Sequence, residues 1–277
     1  MAMVLTAILS VQLGSALATD LFDELGVGGV VFMRALVSAI ALLIIWRPSL
    51  RIKREDLPVT FMFGVSLAAM NLAFYESIDR IPLGTAVTIE FIGPLSVALI
   101  TSHRRKDLVW VAMAAAGILL LTGGIGGDSL DPVGLLLALV AGTMWGSYIL
   151  LGKKMGEQYV GGRGLALAMV ISTILTLPFA FGEGLGGLGD PRVLGTIIFV
   201  GLLSSAFPFS LEMEAMRRLP SNVFGVLMSL EPAVAATIGF LVLGQGVGIR
   251  ELFAIGLVVC ASAGALRSAG APEPIDH

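Results

Sequence analysis

Ten apolar stretches follow one another between residues 2 and 267, and few folds can accommodate that pattern. They lie at about 2–18, 28–46, 58–77, 83–101, 108–123, 133–151, 165–182, 193–211, 222–243 and 250–267. About 20 apolar residues at roughly 1.5 Å each cross a hydrocarbon core of ~30 Å as a helix. The pattern therefore predicts an all-α polytopic membrane protein with ten transmembrane helices. Only 13% of the 277 residues are charged, against about 25% in a soluble domain, so too few polar side chains remain to coat a soluble protein. The first stretch ends in Ala16-Leu17-Ala18, which imitates a signal-peptidase site. With no basic region before it, it is read as a true helix.

The connecting loops set the orientation. Arg47, Arg51, Lys53 and Arg54, then Arg104, Arg105 and Lys106, then Lys153, Lys154 and Arg163, then Arg217 and Arg218, and finally Arg267 all fall on one side. Arg80, Arg192 and Arg250 fall on the other. Lys and Arg concentrate on the cytoplasmic side, so both termini are expected in the cytoplasm.

Residues 81–94 (IPLGTAVTIEFIGP) and 219–232 (LPSNVFGVLMSLEP) repeat one pattern. Pro82 and Pro220, Pro94 and Pro232, Arg80 and Arg218, and Glu76 and Glu214 all keep an offset of 138 residues. Five helices per half is an odd number, so the second half runs inverted relative to the first. The expected division is a first repeat over 1–125, a second over 131–268, and a disordered tail over 269–277. Each half carries an intramembrane acid beside a proline: Glu90 before Pro94, and Glu231 before Pro232. A carboxylate at such depth costs several kcal/mol unless paired, protonated or wetted, and by default marks a functional site. A proline breaks the helical ladder, which a membrane helix tolerates where it lines a cavity. Two halves with broken helices and carboxylates read as a transporter built from internal repeats.

Glu90 lies roughly 10 Å, and Arg34 roughly 9 Å, below the external face at 1.5 Å per residue. Matching depth makes them expected partners, either as a direct ion pair between helices 2 and 4 or as joint holders of a zwitterion. Glu231 enters from the cytoplasmic side to roughly 14 Å. Either carboxylate is a candidate proton carrier; alternatively, Glu231 caps backbone groups freed by Pro232 or bonds a neighbouring helix. Asn71 and Tyr75 share one face of helix 3, Trp145 and Tyr148 one face of helix 6, and Gln12 and Ser15 one face of helix 1. Taken alone, each pair reads as interhelical packing. Glu76 and Glu212 sit at helix ends, where water makes a charge inexpensive. The runs VAMAAAGILLL of helix 5 and LFAIGLVVCASAGAL of helix 10 are mainly small and aliphatic, which suits scaffold or a dimer face.

Other chemistries find little support. Gly146–Lys153 approaches a phosphate-binding loop but has the wrong glycine spacing, and Lys154 stands where a Ser or Thr is required. His103 and His277 lie apart, in a loop and at the end of the chain, so no metal or other cofactor is expected. The single Cys260 reads as a small core hydrophobe. No nucleophile–base pair marks an enzyme, and nothing points to nucleic acid.

The segments NLAFYESIDRIPLGTAVTIEFIGPLSVAL (71–99), MWGSYIL (144–150), SLEMEAMRRLP (210–220) and FGVLMSLEPAVAA (224–236) resemble the EamA type of the drug/metabolite transporter superfamily, and within it the threonine/homoserine exporters. The resemblance implies a bacterial inner-membrane exporter of amino acids or related metabolites, with a central cavity lined by helices 1, 3, 4, 6, 8 and 9. Positions that match its pattern are Arg34, Asn71, Tyr75, Glu90, Pro94, Trp145, Tyr148, Glu212, Glu231 and Pro232. The expected function is alternating-access export of small amino acids, as a monomer or homodimer. Glu90 and Arg34 would hold the amino and carboxyl groups, while Tyr75, Trp145 and Tyr148 shape the cavity. Proton coupling and facilitated diffusion both fit the sequence. The alternative is a proton-coupled exporter of lipophilic cations or drugs.

Overall fold

The computed structural model describes residues 2–49, 52–102, 108–121, 130–183, 185–218 and 227–269. Arg51, the basic loop at 103–107, the join at 122–129, the segment 219–226 with Pro220, and the tail from 270 lie outside the described residues. Among the described residues the chain is helical and contains no strand. The helices are α1 (Ala2–Thr19), α2 (Phe22–Trp46), α3 (Leu57–Ile78), α4 (Leu83–Glu90), α5 (Ile92–Ser102), α6 (Leu108–Leu121), α7 (Pro132–Gln158) and α8 (Arg163–Glu183). There follow α9 (Pro191–Gly201), a π-helical turn at Leu202–Ala206, α10 (Phe207–Arg218), α11 (Glu231–Leu243) and α12 (Ile249–Ala269).

Local chemistry sets the boundaries. Asp131 caps α7, its side chain accepting from the Val133 N–H at 2.9 Å, and Asp190 caps α9 through the Arg192 N–H at 2.7 Å. Each cap is followed by a proline in the first turn, where a missing N–H costs nothing. Gly26 breaks α2 near its start with φ 67° and ψ 165°, a conformation that favours glycine.

The two proline-marked stretches are interrupted, each slightly upstream of its proline. α4 gives way to α5 at Phe91, and a turn at Ser229–Leu230 precedes α11. A proline takes the hydrogen bond from the carbonyl four residues earlier, so the ladder weakens at Glu90 and Met228. At the first break α7 comes close: a Cβ added to Gly142 would stand about 2.5 Å from the Glu90 carbonyl oxygen. Gly142 and Gly146 form a small-xxx-small face against Gly93, the packing by which membrane helices approach at backbone distance.

Helix α2 packs on α8, α3 on α7 and α8, α4 on α7 and α11, and α1 on α10, α11 and the π turn. The main core gathers Leu25 and Val30 of α2, Tyr75 of α3, Ile89 of α4, Ala138 of α7 and Ile197 of α9. Its counterpart outside is an apolar surface including Ile44, Leu119, Phe181, Leu241 and Phe253, suited to lipid. Helices α6 and α12 pack on one another, with Gly117 against Ala254 and Trp110 over Gly264. By length and composition, six described helices can cross a bilayer, and three shorter apolar helices accompany them.

Candidate functional site

All seven residues singled out as substrate-facing line one cavity: Arg34 from α2, Asn71 and Tyr75 from α3, Glu90 from α4, Trp145 and Tyr148 from α7, and Glu231 from α11. The empty space, counted to its mouth and including open solvent, is about 610 Å³. The helix breaks carry the two acids there: Glu90 is the last residue of α4, and Glu231 the first of α11. α6, α8 and α12 contribute no lining residue.

The direct Arg34–Glu90 ion pair expected from matching depth is not formed. Arg34 turns instead to the π turn. Its Nε donates to the Ser204 hydroxyl at 2.7 Å, and Nη2 donates to the Ser205 hydroxyl at 2.9 Å and the Ser204 carbonyl at 3.3 Å. Nη1 donates to Asn71 Oδ1 at 3.2 Å, and the guanidinium lies over the Tyr75 ring, 4.2 Å from its centroid. A π turn leaves backbone carbonyls off the regular ladder. Those of Gly201, Leu203 and Ser204 are taken up by the Ser38 hydroxyl, the Ser10 hydroxyl and Arg34. Arg34 thus ties α2 and α3 to the π turn while still facing the cavity.

The Glu90 carboxylate takes no hydrogen bond and no ion pair from any described residue. Glu231 bonds a neighbouring helix: Gln12 Nε2 of α1 donates to its Oε1 at 3.1 Å. Ser15, one turn on, shares a hydrogen bond of 3.2 Å with the Tyr75 hydroxyl. The aromatic wall is held by neighbours. Trp145 meets Phe91 edge-to-face at 5.2 Å, and Tyr148 stacks on Phe63 at 4.9 Å.

Three groups read from the sequence as packing or helix-end residues belong to the same cavity. Gln12 and Ser15 line it, as does Glu212 of α10, because that helix runs on to Arg218 and carries Glu212 inside. Ser204 lines it too, and only the polar pair Ser204-Ser205 inside an apolar span signalled it. Among the described residues the wall therefore carries one cationic group, Arg34, and three carboxyl groups, Glu90, Glu212 and Glu231. Among the described residues no cluster of His, Cys, Asp and Glu could hold a metal.

The profile of the EamA-like transporter family matches residues 132–267. The threonine/homoserine exporter RhtA of Escherichia coli strain K12 is 40% identical over 263 residues, covering 94% of this chain and 88% of its own. The chain belongs to the EamA-like transporter family. Another family relative, the threonine/homoserine exporter RhtA of Salmonella typhimurium strain LT2, is 39% identical over the same shares. A probable terminal-alkyne amino-acid exporter of Streptantibioticus cattleyicolor is 26% identical over 254 residues, 88% of this chain and 85% of its own. One solved crystal structure aligns over 97% of this EamA-like chain and 96% of its own, with a TM-score of 0.67 at 18% identity, a likeness of fold.

Proposed function

We propose that this protein exports threonine, homoserine or similar small amino acids across the bacterial inner membrane. The observation that carries the reading is a single cavity lined by one guanidinium and by carboxyl groups, the two kinds of charge that a zwitterion needs. Arg34 would receive the α-carboxylate. Glu90, free of other partners among the described residues, would receive the ammonium. Tyr75, Trp145 and Tyr148 leave room for a small side chain. The 40% identical relative, itself named a threonine/homoserine exporter, supports the substrate class.

The proposed architecture is ten transmembrane helices in two inverted five-helix repeats, 1–125 and 131–268, with both termini cytoplasmic and a short tail after 269. Several features support it. The breaks at Phe91 and Ser229 stand 138 residues apart, the same offset as Pro94 and Pro232. The packing pairs are symmetric as well: counting α4 with α5 and α9 with α10 as single spans, span 3 lies on span 6 as span 8 lies on span 1. Alternating access would rock the halves about the Pro94 and Pro232 breaks. One chain supplies the whole cavity, so a monomer suffices as the transport unit, alone or within a homodimer.

Export of lipophilic cations is the weaker reading. One of the aromatic faces that would attract such a cation, that of Tyr75, is already covered by Arg34. Counterflow tests the assignment. Proteoliposomes loaded with unlabelled threonine should take up labelled threonine, and homoserine should compete. Absence of counterflow in folded wild-type protein would sink the amino-acid assignment.

A further inference from the structure

The pair formed by Gln12 and Glu231 carries a further inference. Gln12 Nε2 donates to Glu231 Oε1, but Gln12 Oε1 and Glu231 Oε2 are both buried without a hydrogen-bond partner. Both are acceptors when the carboxyl is ionised, and two orphaned acceptors in a membrane interior are costly. One proton removes both vacancies. A neutral carboxyl donates from Oε2 to Gln12 Oε1 while Oε1 still accepts from Nε2, closing a two-bond acid–amide pair. Turning the amide over would set oxygen against oxygen at the same 3.1 Å contact and demand the same proton.

We propose that Glu231 is the proton-binding site of this transporter and that Gln12 is the positioning residue that holds its protonated form. The proposal rests on the transport reading above. In each cycle the ionised Glu231 takes one proton from the external side as the site opens outward and releases it to the cytoplasm as the site opens inward, exchanging it for exported substrate. Glu90, with no partner of its own among the described residues, is left to the substrate ammonium. The ionisable groups that share the cavity with Glu231 are Arg34, Tyr75, Glu90, Tyr148 and Glu212. α1 brings no ionisable side chain, and those of α12 keep away: Arg250 donates to the Leu120 carbonyl, Glu251 lies by Gly248, and Arg267 and Cys260 are exposed, so Cys260 is not the core hydrophobe that the sequence suggested.

The test compares full-length wild type with Glu231→Gln, Glu90→Gln and Gln12→Leu in proteoliposomes. Wild-type threonine counterflow is scored first. Exchange of substrate for substrate needs no net proton movement, so its absence refutes the transport reading and not this inference alone. An inward pH gradient should stimulate wild-type threonine efflux at least about tenfold, with matching proton entry read by an internal pH dye. In Glu231→Gln, whatever flux remains should ignore the gradient, whereas Glu90→Gln should keep its proportional response. Infrared titration of the purified proteins gives a second readout independent of flux. A protonated-carboxyl band should vanish in Glu231→Gln and move to higher frequency in Gln12→Leu, where it has lost its hydrogen bond. A wild type insensitive to the gradient, a Glu231→Gln variant that still responds, or a carboxyl band unchanged in both variants overturns the proposal.

Discussion

Arg34 lies over the ring of Tyr75, 4.2 Å from its centroid, and gives its N–H groups to Asn71 and to the serines of the π turn. Its charge is therefore held by a ring face and by neutral oxygens, leaving the cavity carboxylates unpaired by it. This arrangement predicts that exchanging the charges, Arg34→Glu with Glu90→Arg, does not restore transport. A glutamate at 34 would face the Ser204 carbonyl and the Tyr75 π face, both of which repel it. Threonine counterflow in the double variant should stay at background. Recovery would mean that a simple ion pair is what the two positions require.

Arg34→Lys should behave as a drastic change. An ammonium cannot reach Asn71, Ser204 and Ser205 together or lie flat on Tyr75. Losing even one hydrogen bond of a charged group costs about 1.5–3 kcal/mol. Counterflow should fall at least about tenfold, to be measured at saturating and limiting threonine.

Tyr75 contributes in two separable ways. Tyr75→Phe keeps the ring under Arg34 and loses only the hydrogen bond to Ser15, a change of about 1 kcal/mol or fivefold in transport. Tyr75→Leu loses the cation–π contact as well, about a further 2 kcal/mol when desolvated, and should fall roughly 150-fold in all. Equal effects of the two substitutions would leave the ring face without a role.

Gly142 should resist enlargement. Gly142→Val places side-chain atoms against the Glu90 carbonyl and prises α7 from the first helix break. Overpacking of this kind costs about 1–3 kcal/mol, a fall of roughly 5 °C in the melting temperature in detergent. Gly256→Ala, where an added Cβ meets nothing within 4 Å, is the control and should not lower the melting temperature.

Much of this was legible in the sequence because hydrophobic length and proline position act locally. Pro94 and Pro232 announce interrupted helices, and a carboxylate inside an apolar span has few places to go but a cavity. The partners of those groups were less legible. Depth along a helix follows from counting residues, but the direction a side chain faces depends on how the helices rotate against one another. Arg34 and Glu90 were thus matched in height, and of the two readings that this left open, a direct pair or joint holders of a zwitterion, the direct pair does not form. The π turn is written only as Ser204-Ser205 in an apolar run, a pattern that ordinary small-residue packing also produces. Glu212 was set aside because hydropathy ends its span near residue 211, although the helix itself continues to Arg218.

Equilibrium binding of labelled threonine to the purified protein tests the central claim most directly, because it reads the cavity without requiring the transport cycle. The account predicts saturable binding at one site per chain, competed by homoserine, abolished in Arg34→Gln and weakened at least about tenfold in Glu90→Gln. Threonine binding undiminished in both variants would contradict it, since the cationic group and the free carboxylate would then not be where the substrate sits.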